Sequence, residues 1–536
     1  MKKISLRNVG RTPWGVPSGP AGPLAGLAQA GRNSATEERD GGVRAQRAPR
    51  PGGPPHEILR NGILLTLALM LGGCMVGPKY KTPTAPVPSA YKEAPPASFK
   101  EGDGWKTAQP ADQTIRGNWW ELFGDSQLNN LEQQLTLDNQ DLKAAEARFR
   151  EARAMIRYNR ASLFPTISTA PSIASERLSS NRPFYTTAPP ASGDFVLPFD
   201  LSYEVDLWGR VRRTVNAARE EAQATAADLE TASLSLHAEL AYDYFELRAA
   251  DSQQRLLDDT VKAYTETLRL TTTRFQGGAA PKSDVAQAQT QLDTTRVADT
   301  DIAVQRAQYE HAIAILLGKP PAEFSLAVDP LNLEPPVVPI GVPAQLLERR
   351  PDIAAVERRM AEANEQIGIA RAAFYPTVSL GAVAGFEGSS ILNWLNWPSR
   401  LWAVGPTLTQ TLFDAGRRRA TSDAAIAGYD AMVADYREAI LATFQQVEDN
   451  LAAARILEQE AKQQKEAVDS AQESLQLFTT RYTGGVDTYL QVITAQTIAL
   501  SNERNDVDIL RRRMDASVLL IKALGGGWNV ANLPKL

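Results

Sequence analysis

The sequence is poor in the residues that most chemistry requires. Its 536 residues include one cysteine and three histidines. A single thiol cannot close a disulfide within the chain. His56, His237 and His311 are too far apart in sequence to read as a metal or acid-base motif, and no glycine-rich loop follows a strand in phosphate-binding form. The chain is therefore expected to be no enzyme and to hold no metal or cofactor. Nor is there an excess of positive charge: 57 basic against 62 acidic residues leave a net charge of −5, which argues against nucleic acid as a partner. Arg417 to Arg419 and Arg511 to Arg513 are basic runs with acids nearby, and they read as solvated helix faces. Long apolar runs are missing as well. Ile63 to Leu71 is nine residues, too short to cross a membrane as a helix.

That length suits the core of a secretory signal. Leu71-Gly72-Gly73-Cys74 follows and resembles a bacterial lipobox, cut before a cysteine that then carries lipid. Residues 58–73 are thus expected to be a lipoprotein signal peptide and Cys74 the lipid attachment site. Met75 stands where an aspartate would retain a lipoprotein in the inner membrane, which implies sorting to the outer membrane. Residues 1–57, rich in Gly, Pro and Arg, precede the signal and read as a non-native or unstructured extension, with translation starting nearer Val43 or Leu59. Residues 74–125 begin as a Pro-rich, polar segment suited to lying along a surface. Trp119 and Trp120 are expected to pack on the helix that follows.

Long helix is abundant, and it occurs twice. Asp206 to Phe275 is almost free of Gly and Pro, and Leu240, Leu247, Gln254, Val261, Leu268 and Phe275 recur every seven residues. Leu236, Asp243, Ala250, Leu257, Tyr264 and Thr271 interleave with them. A heptad kept over this length implies helices wound around one another. Thr273-Arg274-Phe275-Gln276-Gly277-Gly278 returns 207 residues later as Thr480-Arg481-Tyr482-Thr483-Gly484-Gly485. Ala288-Gln289-Thr290 returns at the same offset as Ala495-Gln496-Thr497, and Val447 to Tyr482 repeat the seam. Upstream, Phe164-Pro165-Thr166 and Tyr375-Pro376-Thr377 are 211 apart, so the first copy carries four extra residues, as a loop between strands would allow.

Proline stops the helix before each of these motifs, and runs rich in Thr, Ser, Val and Phe follow. Strands are expected at about 166–178 and 194–207, and again at about 377–387 and 401–413, near the length that crosses a bilayer at a tilt. The first repeat, 126–321, holds a helix to about 162, two strands, a long helix 206–276 and a helix 283–318. An equatorial linker spans 322–350. The second repeat, 351–525, holds a helix, two strands, a long helix 414–482 and a helix 487–524, before a tail, 526–536. Trp394, Trp397 and Trp402 beside the second strand turn are expected at a membrane interface. Four strands cannot close a barrel, and open edges cannot face lipid, so several chains must contribute.

Together these features resemble the TolC-like outer-membrane factors, in the lipoprotein branch that serves resistance-nodulation-division efflux pumps. Leu347-Glu348-Arg349-Arg350-Pro351-Asp352-Ile353 adds to the match, since this motif joins the two repeats in that family. The resemblance implies a mainly α-helical subunit with a membrane β-barrel. It implies a homotrimer, its twelve strands drawn four from each chain, continued by a coiled-coil tunnel into the periplasm of a Gram-negative bacterium. The implied activity is passive exit of small molecules or drugs, with a periplasmic membrane-fusion adaptor, an inner-membrane pump and outer-membrane lipid as partners. A type I protein-secretion outlet would keep this fold. A lipid-tethered periplasmic adaptor would have one helical hairpin between β-rich halves, whereas this chain has two hairpins and paired strands.

In family members the helix-turn-helix tips meet the adaptor. Arg274, Phe275, Gly277 and Gly278 match that pattern in the first repeat, and Arg481, Tyr482, Gly484 and Gly485 in the second. Relatives often carry a ring of carboxylates shortly after the second Gly-Gly. Here Gln491 and Thr494 stand at those places, and the first repeat offers Asp284 opposite Gln491 and Gln287 opposite Thr494. These four are the candidates for a periplasmic gate.

Overall fold

The computed structural model describes residues 75–85, 87–93, 117–177, 191–340 and 343–536; the extension, the signal segment and Cys74 lie outside them. The helices are α1 (Ser126–Asp138), α2 (Gln140–Ala161), α3 (Arg210–Gln276), α4 (Lys282–Leu316), α5 (Leu346–Arg349), α6 (Pro351–Ala372), α7 (Arg417–Thr483) and α8 (Tyr489–Ala523). The strands are β1 (Thr166–Thr169), β2 (Ser172–Glu176), β3 (Ser192–Val205), β4 (Thr377–Gly388) and β5 (Arg400–Thr409).

α3 and α7 each have 67 residues, about 100 Å of helix at 1.5 Å per residue. They begin later than 206 and 414. Gly209 and Gly416, at φ 81° and 87°, turn the chain into each helix, while Asp206 and Asp414 serve as caps. The Asp206 carboxylate accepts from the Val211 and Arg212 amides at 3.1 and 2.9 Å. The single helix expected over 126–162 is two helices. Asn139 has extended backbone, caps α2 through the Leu142 amide at 2.8 Å, and donates its side-chain amide to the Leu316 carbonyl. The matching break in the second half comes at Arg350, before Pro351 opens α6. The strand expected at 166–178 is likewise interrupted: Pro171 offers no amide to a ladder, and β1 and β2 pair separately with β3. β5 ends at Thr409, short of the expected 413.

The sheet is antiparallel in the order β1-β3-β4-β5, with β2 also on β3. Neither outer edge has a partner strand among the described residues. Opposed residues share a face, so the register sorts the side chains. Ile167, Ile173, Phe195, Leu197, Phe199 and Leu201 fall on one face with Leu380, Phe386, Trp402, Val404 and Leu408. Ser168, Asp194, Asp200, Ser202, Glu204, Ser379, Glu387 and Thr407 fall on the other. No described helix is long and apolar enough to cross a membrane; the sheet carries the apolar surface.

The helices pack in two antiparallel pairs, α3 with α4 and α7 with α8, and α8 also lies against α3. Their largest core gathers Leu128, Tyr244, Phe245, Leu247, Ile313, Leu317, Val518 and Leu520, with Trp119 and Trp120 against it. Each such fully buried side chain contributes about 1.5–3 kcal/mol. Further along α3, Ala250, Leu257, Tyr264 and Thr271 stay buried as a seam, whereas Phe275 at the far end is 40% exposed.

Residues 75–85 and 87–93 lie as a strap over these helices. The Arg213 guanidinium, 3% exposed, donates to the Val76 carbonyl at 2.7 Å, to the Pro78 carbonyl at 3.2 Å and to Glu365 at 2.8 Å. Gly368 leaves room for it, since a Cβ there would sit 2.2 Å from Arg213. Further on, the Glu448 carboxylate accepts from the amides of Lys92 and Glu93.

Candidate functional site

The two helix pairs end in turns of the same build. Gly278 and Gly485 have φ 76° and 75°, a conformation that only glycine adopts cheaply, and the turn closes through Ala279 N to Arg274 O and Val486 N to Arg481 O, 2.8 and 2.9 Å. The eight tip residues then divide by environment. Phe275, Arg481 and all four glycines are exposed. Tyr482 is 4% exposed and its ring lies 5.3 Å from that of Tyr489, so it faces into the helices and offers no surface to a partner.

Arg274 does something the pattern alone did not indicate. Its Nη1 donates to the carbonyls of Tyr482 and Thr483, 2.9 and 3.0 Å away, and its guanidinium lies 4.6 Å over the Tyr482 ring. A cation from the first hairpin thus caps the C-terminus of α7, where the helix dipole is negative. Arg481 stays in its own turn, paired with Asp487 at 2.5 Å. The sequence held the signal: 207 residues before Asp487 stands Ala280, so the first turn offers Arg274 no acid.

Behind the tips, Ala288 on α4 meets Tyr482, Tyr489 and Val492 in a small buried cluster. Asp284, one turn before Ala288, is half-buried in the first turn of α4, and its charge helps raise the Tyr489 hydroxyl's pKa, though burial is the larger cause. Gln287, Gln491 and Thr494 are exposed, and the Thr494 hydroxyl donates back to the Leu490 carbonyl of its own helix. Among the described residues no hydrogen bond joins any two of these four.

A charged joint fastens α8 to α3 nearer the core. Arg511 on α8 donates to Glu246 on α3, to Asp508 at 2.8 Å and to Asp515 at 3.1 Å. Beside it is a cavity of about 410 Å³ whose lining includes Tyr242, Gln253, Tyr309 and Arg511. Burial and the facing Glu246 push the Asp515 carboxyl up to about 8, and burial with Glu239 and Glu246 lifts Asp243 to about 7. His237 belongs to the core: stacked 4.4 Å from Trp120 and 2.6 Å from Glu132, it is pushed down by burial to about 4.

Paired rods, glycine turns and a two-faced sheet describe a conduit. The model of the outer membrane efflux protein family matches residues 131–319 and again 342–526. The chain belongs to that family. The toluene efflux pump outer membrane protein TtgC of Pseudomonas putida is 32% identical over 471 residues, covering 87% of this chain and 95% of TtgC. The outer membrane protein OprJ of Pseudomonas aeruginosa is 32% identical over 468 residues, again 87% and 95%. Among solved structures, the outer-membrane channel OprN aligns at a TM-score of 0.77 with 29% identity, over 85% of this chain and all of that one. The open state of the Neisseria gonorrhoeae MtrE channel aligns at 0.74 with 25% identity, over 85% and 99%. This efflux protein is therefore an outer-membrane channel of TolC-like fold.

Proposed function

We propose that the chain is the exit duct of a tripartite efflux system, assembled as a homotrimer. The observation that carries this is the sheet: it is apolar on one face, polar on the other and, among the described residues, unpaired at both edges. Unpaired backbone groups in hydrocarbon cost several kcal/mol each, so the edges of one copy must meet those of the next. Closing copies into a ring turns the polar face inward around water. The exposed apolar side chains of the helices, such as Val304, Leu441, Ile456 and Ile498, suit burial between copies. We assign the channel no chemical step of its own. Its cargo is small molecules handed over by an inner-membrane pump; the relatives' names, which include toluene and antibiotic efflux, favour this over protein secretion.

The tips are where a periplasmic adaptor docks in this reading, with exposed Phe275, Arg481 and the Gly-Gly turns as the contact surface. Arg274 is the latch that holds the two hairpins of one chain together, and docking that draws α7 and α8 outward must release it. Asp284 marks the charged side of the constriction. Lipid on Cys74 fixes the strap that begins at Met75, which packs on Gly209 where sheet meets helix. The mass of the detergent-solubilised protein tests the assembly: three chains before heating and one after support it, and a single chain throughout overturns it.

A further inference from the structure

The turn between β4 and β5 is strongly apolar. Ile391, Leu392, Leu395 and Trp397 are 66, 85, 61 and 73% exposed within a segment of eleven residues, 389–399. Its direction is fixed by three contacts. Phe195, on the apolar face of β3, has its ring 6.0 Å from that of Trp394. A Cβ on Gly388, which opposes Phe195 and shares its face, would meet the Trp394 Cα at 3.2 Å. A Cβ on Gly193, on that same face, would meet the Ser389 carbonyl at 2.8 Å. The segment therefore leaves β4 and folds over the apolar side of the sheet, away from the polar side that lines the passage. It lies at the end of the sheet remote from the helices, which attach before β4 and after β5.

We infer that residues 389–399 form a membrane anchor, seating Ile391, Leu392, Leu395 and Trp397 in the outer leaflet of the outer membrane. The argument is continuity: the same face carries Trp402 and Val404, 74 and 64% exposed, so the segment extends a lipid-facing surface instead of capping the pore. Arg400 supports the depth. Its guanidinium lies 4.2 Å over the Trp397 ring and donates to the Trp397 carbonyl, a charge beside an indole at the level where headgroups end and acyl chains begin. The inference rests on the membrane placement of the sheet, and beyond that reading it gives the turn a partner: lipid.

Leu392→Cys and, separately, Ser202→Cys on the polar face are labelled with bimane and the whole channel is reconstituted in phosphatidylglycerol-phosphatidylethanolamine vesicles. The unmutated protein supplies the labelling background. Segments of this kind sit about 5–10 Å into the boundary region, so doxyl lipids labelled near the headgroup should lower Leu392→Cys emission about twofold while aqueous iodide leaves it nearly unchanged. Iodide, not doxyl lipid, should quench Ser202→Cys. Iodide quenching at position 392 would put the segment in water and overturn the inference. Protection there from both quenchers would mean that a neighbouring copy covers it, which overturns it equally. Doxyl quenching at position 202 would instead refute the assignment of the two sheet faces, a separable failure. Leu395→Cys repeats the measurement should Leu392→Cys fail to form heat-sensitive oligomer.

Discussion

Arg274 is the residue whose removal should change the channel most. Arg274→Ala deletes two hydrogen bonds from a cation to the terminal carbonyls of α7 and the stack on Tyr482. A hydrogen bond to a charged group is worth about 1.5–3 kcal/mol net and an exposed cation-ring contact about 0.5–1. The guanidinium is only half-buried, so the loss is set at about 2 kcal/mol, or about 30-fold in the equilibrium between closed and separated tips. The assay is single-channel recording from reconstituted oligomers, read as the ratio of open to closed time. Arg274→Lys should fall between, because an ammonium keeps the charge but neither the fork nor the flat stack. Tyr482→Leu keeps both backbone hydrogen bonds but removes the stack together with the ring's packing on Tyr489, and the stack by itself should shift the ratio about two- to fivefold. The double variant should exceed Arg274→Ala by less than the single effects add, since both act on one contact. An Arg274→Ala channel with wild-type gating and an intact oligomer would refute the latch.

Further outcomes follow from other parts of the molecule. Asp284→Ala should lower the preference of the resting current for cations; no change would leave Asp284 only its place in the first turn of α4. Asp515, held near 8, keeps in the folded state a proton that the unfolded chain loses near 4, so its contribution to stability declines as pH rises from about 4 to 8. Thermal unfolding of Asp515→Asn should lose that part of the pH dependence, and an unchanged profile would contradict it. His237 acts in the opposite direction: neutral when folded down to about 4, it costs stability as pH falls below about 6.5. Arg213→Met should free the strap, seen as faster amide exchange at Val76, whose amide now donates to the Trp208 carbonyl at 3.0 Å; unchanged protection would refute the clamp. Cys74→Ala should abolish lipid labelling yet leave the channel in the membrane fraction, where a scaffold tethered only by lipid would be released.

Much of the architecture was legible because it is written in periods. The heptad from Leu240 to Thr271 and the two Gly-Gly motifs located both long helices, and proline after Phe164 and Tyr375 located the change to strand. The breaks were harder to read. Asn139 splits a helix because its side chain can cap a new one, a choice settled by the Leu316 carbonyl that holds its amide from across the fold. Pro171 divides a strand whose composition is otherwise continuous. At the tips, glycine spacing identified the turns, but it did not separate exposed Phe275 from buried Tyr482. That difference arises where Tyr489 and Val492 receive one hairpin against the other, a contact between segments with no common spacing.

The most direct measurement is planar-bilayer recording with the purified, heat-sensitive oligomer. Stepwise conductance that vanishes when heating dissociates the chains is the result predicted for a passage enclosed jointly by several sheets. Absence of any pore from intact oligomer, or the same steps from the separated single chain, would contradict it.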